Sequence, residues 1–213
     1  MTKKQARENL VFFCVYSQQI LWYNGYMVEN LSIFDTFDKR ERMCMKIAIN
    51  AGHTASGAGY GAVGFYKESI ETRKIVQELI PLLKMKGHTV IDATIDRAST
   101  QLDYLQKSVQ IANKAKADLF LTIHLNAGGG QGCEAFTWKG EKVKQAVNIC
   151  KQLCDEGFKN RGVKDGSGFY VIKRTTMTAI LLEVFFLDNR KDCELYRKIG
   201  VKRIAQCIAD GIS

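Results

Sequence analysis

From Met45 onward, short apolar or β-branched runs alternate with longer stretches in which apolar residues recur three and four apart. The short runs predict strands over Met45–Asn50, Thr89–Thr94, Leu119–His124, Cys133–Trp138, Gly168–Ile172 and Ala179–Phe186. The longer stretches predict helices over Glu68–Lys86, Leu102–Ala117, Glu141–Lys159 and Asp192–Ile212. Alternation of this kind leaves one economical solution, an α/β domain whose mostly parallel, twisted sheet of about six strands is flanked by helices. The chain is long and apolar enough to bury such a core, with 213 residues of which 46% are hydrophobic. Its one proline, Pro81, falls inside the first helical stretch and predicts a kink or break there. No internal repeat or low-complexity tract interrupts the pattern.

Residues 1–44 stand apart as an N-terminal extension to a domain over 45–213. Lys3, Lys4 and Arg7 precede an apolar run from Leu10 to Tyr16, as a secretory leader would begin. Glu8, Gln18, Gln19 and Asn24 interrupt that pattern, no small-residue cleavage site follows, and the run is too short to span a bilayer. The segment therefore reads as neither signal nor anchor. It holds six Lys/Arg against five Asp/Glu, so residues 45–213 carry +8 of the net +9. A basic surface favours polyanions, among them nucleic acid, anionic membrane and anionic cell-wall polymer, without choosing between them. Seven cysteines at no repeating spacing argue against a disulfide scaffold and for reduced thiols packed as small hydrophobes.

Three histidines are present, and two follow predicted strands: His53 in Asn50-Ala51-Gly52-His53 and His124 in Ile123-His124-Leu125-Asn126-Ala127. Open α/β sheets gather such strand-end residues into one crevice, where these folds bind ligands. Glu68 opens the first helix, 15 residues after His53; a carboxylate there also suits the helix dipole with no further role. His, Glu and His with one position left open is how catalytic zinc is held. His88, in a helix-to-strand turn, reads as a solvated loop histidine. Glu183 sits in the apolar run Ala179–Phe186, where burial or a nearby metal would tune it for acid–base work, unless it faces a polar side or an ion pair. Gly59-Tyr60-Gly61-Ala62-Val63-Gly64 satisfies the GxGxxG spacing of dinucleotide sites. It begins about nine residues past its strand and lacks the acidic partner about 20 residues on that the chemistry needs.

Across the whole of 45–213 these residues resemble the zinc-dependent N-acetylmuramoyl-L-alanine amidases of type 3, especially the catalytic domains of phage endolysins. The likeness lies in Asn50-Ala51-Gly52-His53, in Glu68, in Ala112-Asn113 with Ala117-Asp118-Leu119-Phe120 and Ile123–Ala127, in Asn160-Arg161-Gly162-Val163-Lys164, and in Leu181–Asn189. It implies zinc on His53, Glu68 and His124, with Glu183 as the catalytic carboxylate. Asn126, Glu134 and Arg161 become candidates for orienting glycan or peptide. The implied reaction is hydrolysis of the amide between N-acetylmuramic acid and L-alanine in peptidoglycan, by zinc-activated water.

Three features depart from the family: Thr54 stands where many members have glycine, Thr178 where many have proline, and an arginine near Thr94 to Ile95 is missing. They bear on substrate detail, since every ligand is present. The resemblance also implies action at the bacterial cell wall by an endolysin or autolysin, with peptidoglycan as partner and no specific nucleic acid or membrane span. Synthesis in the cytoplasm without a clear signal favours endolysin-like release, and no wall-binding module follows Ser213. Two other classes stay open: a nucleotide-binding oxidoreductase using Gly59–Gly64, and a catalytically silent wall-binding module of amidase-like fold.

Overall fold

The computed structural model describes the backbone of residues 11–15, 18–23 and 26–28, and all of residues 44–212. The chain divides into two compact units, Met1–Arg42 and Met43–Ser213. In the first, β1 (Val11–Val15), β2 (Gln18–Tyr23) and β3 (Tyr26–Val28) form an antiparallel meander in that order. The apolar run after the N-terminal lysines thus contains a strand paired along its length with its neighbour. No helix among the described residues is long and apolar enough to cross a membrane.

The second unit carries β4 (Lys46–Ala51), α1 (Glu68–Met85), β5 (Thr89–Asp92), α2 (Gln101–Lys114), β6 (Leu119–Asn126), β7 (Cys133–Thr137), α3 (Lys144–Asp155), β8 (Asn160–Asp165), α4 (Tyr170–Arg174), β9 (Thr178–Phe186) and α5 (Arg190–Ile212). Its six-stranded sheet has the order β5-β4-β6-β9-β7-β8. All neighbours pair in parallel except β7 with β9, which are antiparallel. The C-terminal ends of β4, β6 and β9 therefore lie on the same edge as the N-terminal ends of β7 and β8.

Strand alternation sends side chains to two cores. On one face Ile47, Leu121 and Leu182 pack with Ile75 and Leu79 of α1, Ile149 of α3 and Ile204 of α5. On the other, Ala48, Phe120 and Leu181 meet Val109 of α2 and Val171 and Ile172 of α4. Each fully buried leucine or isoleucine contributes about 1.5–3 kcal/mol. The spacing of Ile75, Leu79 and Leu83 fixes which side of α1 faces the sheet, and all three are fully buried. Thr100 caps α2 by accepting the Asp103 amide at 3.0 Å.

Four expectations are corrected. Gly168–Ile172 is not a strand; it leads into α4, whose Val171 and Ile172 are buried against the sheet. The missing strand is β8, an edge strand whose charged, partly exposed residues carry no apolar alternation to betray it. Pro81 does not break α1, which runs through it to Met85. The last helical stretch is instead interrupted at Gly200, whose φ of 80° and ψ of 160° only glycine adopts readily. His88 is also not solvated: it is 8% exposed, and its Nδ1 accepts the Met45 amide at 3.2 Å. Burial, then the charge of Lys86, keep its pKa below the usual range, so it serves as a neutral acceptor tying the start of β4 to the turn before β5. Among the described residues the cysteines are free, with Cys133, Cys150, Cys193 and Cys207 buried and Cys44 and Cys154 exposed.

Candidate metal centre

At the shared edge, three elements converge. β4 delivers His53 just past its end, α1 delivers Glu68 from its first turn, and β6 delivers His124 two residues before its end. One donor atom from each of the three lies within 4.8 Å of the other two. Glu68 Oε2 lies 3.1 Å from His53 Nε2, and Glu68 Oε1 lies 3.0 Å from His124 Nδ1.

Each of the three side chains is oriented by a second set of contacts. His53 has φ of 69°, a conformation unfavourable for a residue with a side chain. It is held there from both sides: its N–H donates to the Tyr104 hydroxyl at 2.9 Å, and its carbonyl accepts from Arg73 at 3.1 Å. Tyr104 in turn donates to Asn50 Oδ1, which also accepts from Thr122, so the strain is distributed over a buried network. His53 Nδ1 lies 2.9 Å from the Gly59 carbonyl. A proton on Nδ1 satisfies that bond and leaves Nε2 with a free lone pair pointed at Glu68, as a metal ligand requires. The carboxylate of Glu68 is fixed by the amides of Ala62 at 2.9 Å and Leu125 at 3.1 Å.

The electrostatics follow from burial and from this sharing. Burial would raise the Glu68 carboxyl, but hydrogen bonds from His124 and His53 outweigh it and hold it well below the ordinary carboxylate range. Burial dominates at His124, whose pKa falls, so its imidazole stays neutral at physiological pH. At His53 burial is outweighed by Glu68, and its pKa rises. An ionised carboxylate, a neutral imidazole and a second imidazole with its free nitrogen turned inward form a donor set that suits a divalent metal ion. His53, Glu68 and His124 could hold one.

The GxGxxG loop serves this cluster. It wraps around the triad instead of turning directly off β4, and Gly59 supplies the carbonyl that sets His53. Gly61 has φ of 92°, and a Cβ there would stand 2.8 Å from the His53 ring and 2.9 Å from Glu68 Oε2. Gly61→Ala is accordingly expected to displace both side chains, lowering metal content and activity by at least about tenfold. Normal metal content in a folded Gly61→Ala protein would show that the loop yields.

Sheet register places Glu183 beside the triad. Its Cα partners are His124 on β6 and Glu134 on β7, so the three side chains stand level on one face. Glu183 Oε2 is fully buried and has no hydrogen-bond partner among the described residues. Burial first, then the charges of Glu68 and Glu134, push its pKa up to about 8. Glu183 thus shares its face with His124 and Glu134 and pairs with no cation among the described residues.

A groove of about 410 Å³ runs over these groups, lined by His53, Glu68, His124 and Glu183 and bounded by Asn126, Leu105 and the half-exposed ring of Phe169. Another cavity, of about 300 Å³, lies near Thr178 and Trp138 at the far end of β9, away from the triad. Asn126 Nδ2 donates to Glu134 Oε1 at 2.8 Å, and Arg161 and Lys164 both reach Glu134 Oε2. The structure thus joins Asn126, Glu134 and Arg161 into one network at the groove's end. Tyr104, Arg73 and Lys164 received no role from the sequence. Lys164 could have been found by its spacing, three residues after Arg161 in a basic stretch; Tyr104 and Arg73 carry no local signal.

Residues 47–213 match the family model for N-acetylmuramoyl-L-alanine amidases. The chain belongs to that family. Among relatives, an uncharacterised protein of Clostridium perfringens is 36% identical over 179 residues, which cover 79% of this chain and 52% of that protein. The chain spans about half the length of this clostridial relative. The N-acetylmuramoyl-L-alanine amidase CwlM of Bacillus licheniformis is 29% identical over 79% of this chain and 68% of its own length. Among solved structures, the catalytic domain of the CD27L endolysin targeting Clostridia Difficile superposes with a TM-score of 0.73 at 30% identity, covering 79% of this chain and 96% of that one. The six-stranded, mostly parallel α/β architecture is the one these amidase domains share.

Proposed function

We propose that this chain hydrolyses the amide bond between N-acetylmuramic acid and L-alanine in bacterial peptidoglycan, with zinc held by His53, Glu68 and His124. The observation that carries the reading is the juxtaposition of that three-donor cluster with Glu183, a buried carboxyl whose unpartnered oxygen stands in the same groove. Family membership and the name of the Bacillus licheniformis relative support the substrate. Zinc held by these three residues would supply Lewis acidity, making water a better nucleophile at neutral pH and polarising the carbonyl to be attacked.

The chain's own residues do the rest. Glu183 takes a proton from the attacking water and returns it to the departing alanine nitrogen, as its place in the groove beside the three donors allows. His53 and His124 hold their places through Gly59, Tyr104 and Glu68, so that reacting groups meet in a fixed geometry. Walls of the groove exclude bulk water from Glu183 Oε2, which strengthens each charge interaction at the reacting atoms.

We assign this activity to residues 45–213 and its place to the bacterial cell wall. The test is the appearance of new L-alanine amino termini in purified peptidoglycan, with the whole chain and with a 45–213 fragment. Both are expected to release them. Wall binding without release would favour the silent-module alternative, and a protein that binds a nicotinamide cofactor but no metal and releases no amino termini would favour the nucleotide-binding one.

The +8 balance of residues 45–213 supports anionic wall polymer as an additional partner. Retention on walls is then expected to weaken between low salt and physiological salt, where exposed charges are screened within about 8 Å. Salt-indifferent retention would remove that contribution.

A further inference from the structure

Two cations, Arg161 and Lys164, share a single oxygen of Glu134. Burial works against the Glu134 charge, but hydrogen bonds from Arg161 and Lys164 outweigh it and hold its carboxyl below the usual range. The cluster therefore carries two positive charges against one negative. Glu134 is buried, whereas the side chains of Arg161 and Lys164 are 30% and 37% exposed, so the surplus positive charge faces outward.

The cations are built in, not loose. The guanidinium of Arg161 lies 5.0 Å from the centroid of the Phe186 ring, and the Lys164 ammonium lies 6.0 Å from that of Phe136. Only Nε of Arg161 is hydrogen-bonded among the described residues, which leaves both terminal nitrogens of its planar fork available. Such a fork, stacked on one side and anchored at its base, is pre-set for two parallel bonds to a carboxylate.

Its position relates it to the chemistry. Arg161 and Lys164 belong to β8, two strands from β9, yet both reach Glu134 Oε2 on the intervening β7, and the Arg161 guanidinium lies against Phe186 of β9 itself. Asn126 connects the two places, lining the groove and donating to Glu134. A peptide chain advances at most about 3.3–3.6 Å per residue. A stem peptide that leaves Glu183 toward β7 would therefore bring the residue after the alanine within side-chain reach of Arg161 and Lys164.

Resting on the amidase reading, we propose that Arg161 and Lys164 form an anion subsite for a free carboxylate on the stem-peptide residue that follows the scissile alanine. Glu134 is the positioning residue that holds both cations and keeps their charge from being lost to disorder.

The experiment compares two peptidoglycan preparations that differ only in whether that carboxylate is free or converted to its amide. Initial rates of alanine amino-terminus release are measured on each. The wild-type chain is expected to favour the free acid by about tenfold or more, as loss of one charge-assisted contact implies. In Lys164→Gln, where Arg161 still pairs with Glu134, and in Arg161→Gln the preference should fall toward one, with zinc content unchanged. Should Arg161→Gln fail to fold, the wild type and Lys164→Gln decide. Equal rates on the two walls in the wild type, a preference for the amide, or a preference that survives in the folded variants would overturn the subsite while leaving the amidase reading intact. Release from neither wall would instead remove the amidase reading.

Discussion

Glu183→Gln is expected to slow hydrolysis by about 10²- to 10⁴-fold while zinc stays bound and the fold is kept. The three ligand side chains are untouched, and glutamine matches glutamate in size, so only proton transfer is lost. The strand register explains why the effect should be confined: Glu183 stands level with His124, yet the triad is held by Gly59, Ala62 and Leu125 and not by Glu183. Rates and metal content measured on the same preparation decide the matter. Near-normal turnover would take Glu183 out of the mechanism, and loss of zinc would make it a ligand.

A second reading of the same variant comes from stability. In chelated wild-type protein the Glu183 pKa is raised, to about 8, by burial and by the charges of Glu68 and Glu134. A raised folded-state pKa means that the carboxyl favours folding least when it must ionise. Its contribution is fully present below about pH 4.5 and is lost as pH rises through about 8, at up to about 1.4 kcal/mol per pH unit. Glutamine has no such dependence. Chelated Glu183→Gln is therefore expected to be more stable than chelated wild type at pH 9 and to differ little at pH 4, as denaturant titration would register.

His124→Ala is expected to abolish zinc binding and activity together, from about one ion per chain to near none, because two remaining donors hold the ion poorly. The fold should survive. Glu68 would keep His53 and the amides of Ala62 and Leu125, so its buried charge is not left alone. Chelation of the wild type should reproduce the loss and added zinc should reverse it, whereas zinc should not rescue His124→Ala. Full activity in metal-free wild type would end the zinc account, and unfolding of His124→Ala would show that the Glu68 pairing is needed for the fold itself.

Much of this was written locally. The alternation of short and long apolar periods determined an α/β sheet, because buried parallel strands and the helices that cover them each leave a distinct period in the chain. The meeting of His53, Glu68, His124 and Glu183 was foreshadowed by position: the two histidines stand at strand ends, Glu68 opens a helix and Glu183 interrupts an apolar run. What the chain could not announce was anything settled by contacts distant in sequence. β8 hides because an edge strand needs no apolar face, and His88 looked solvated because its burial depends on Met45, 43 residues away. The break at Gly200 is a property of one backbone angle, and no period in the sequence carries it. The register of β6, β9 and β7 is likewise tertiary: it sets Glu183 between His124 and Glu134, and through Glu134 joins Asn126 on β6 to Arg161 and Lys164 on β8. Side-chain pattern chose the elements and the candidate donors, and hydrogen-bond register between strands far apart in the chain decided which charges share one groove.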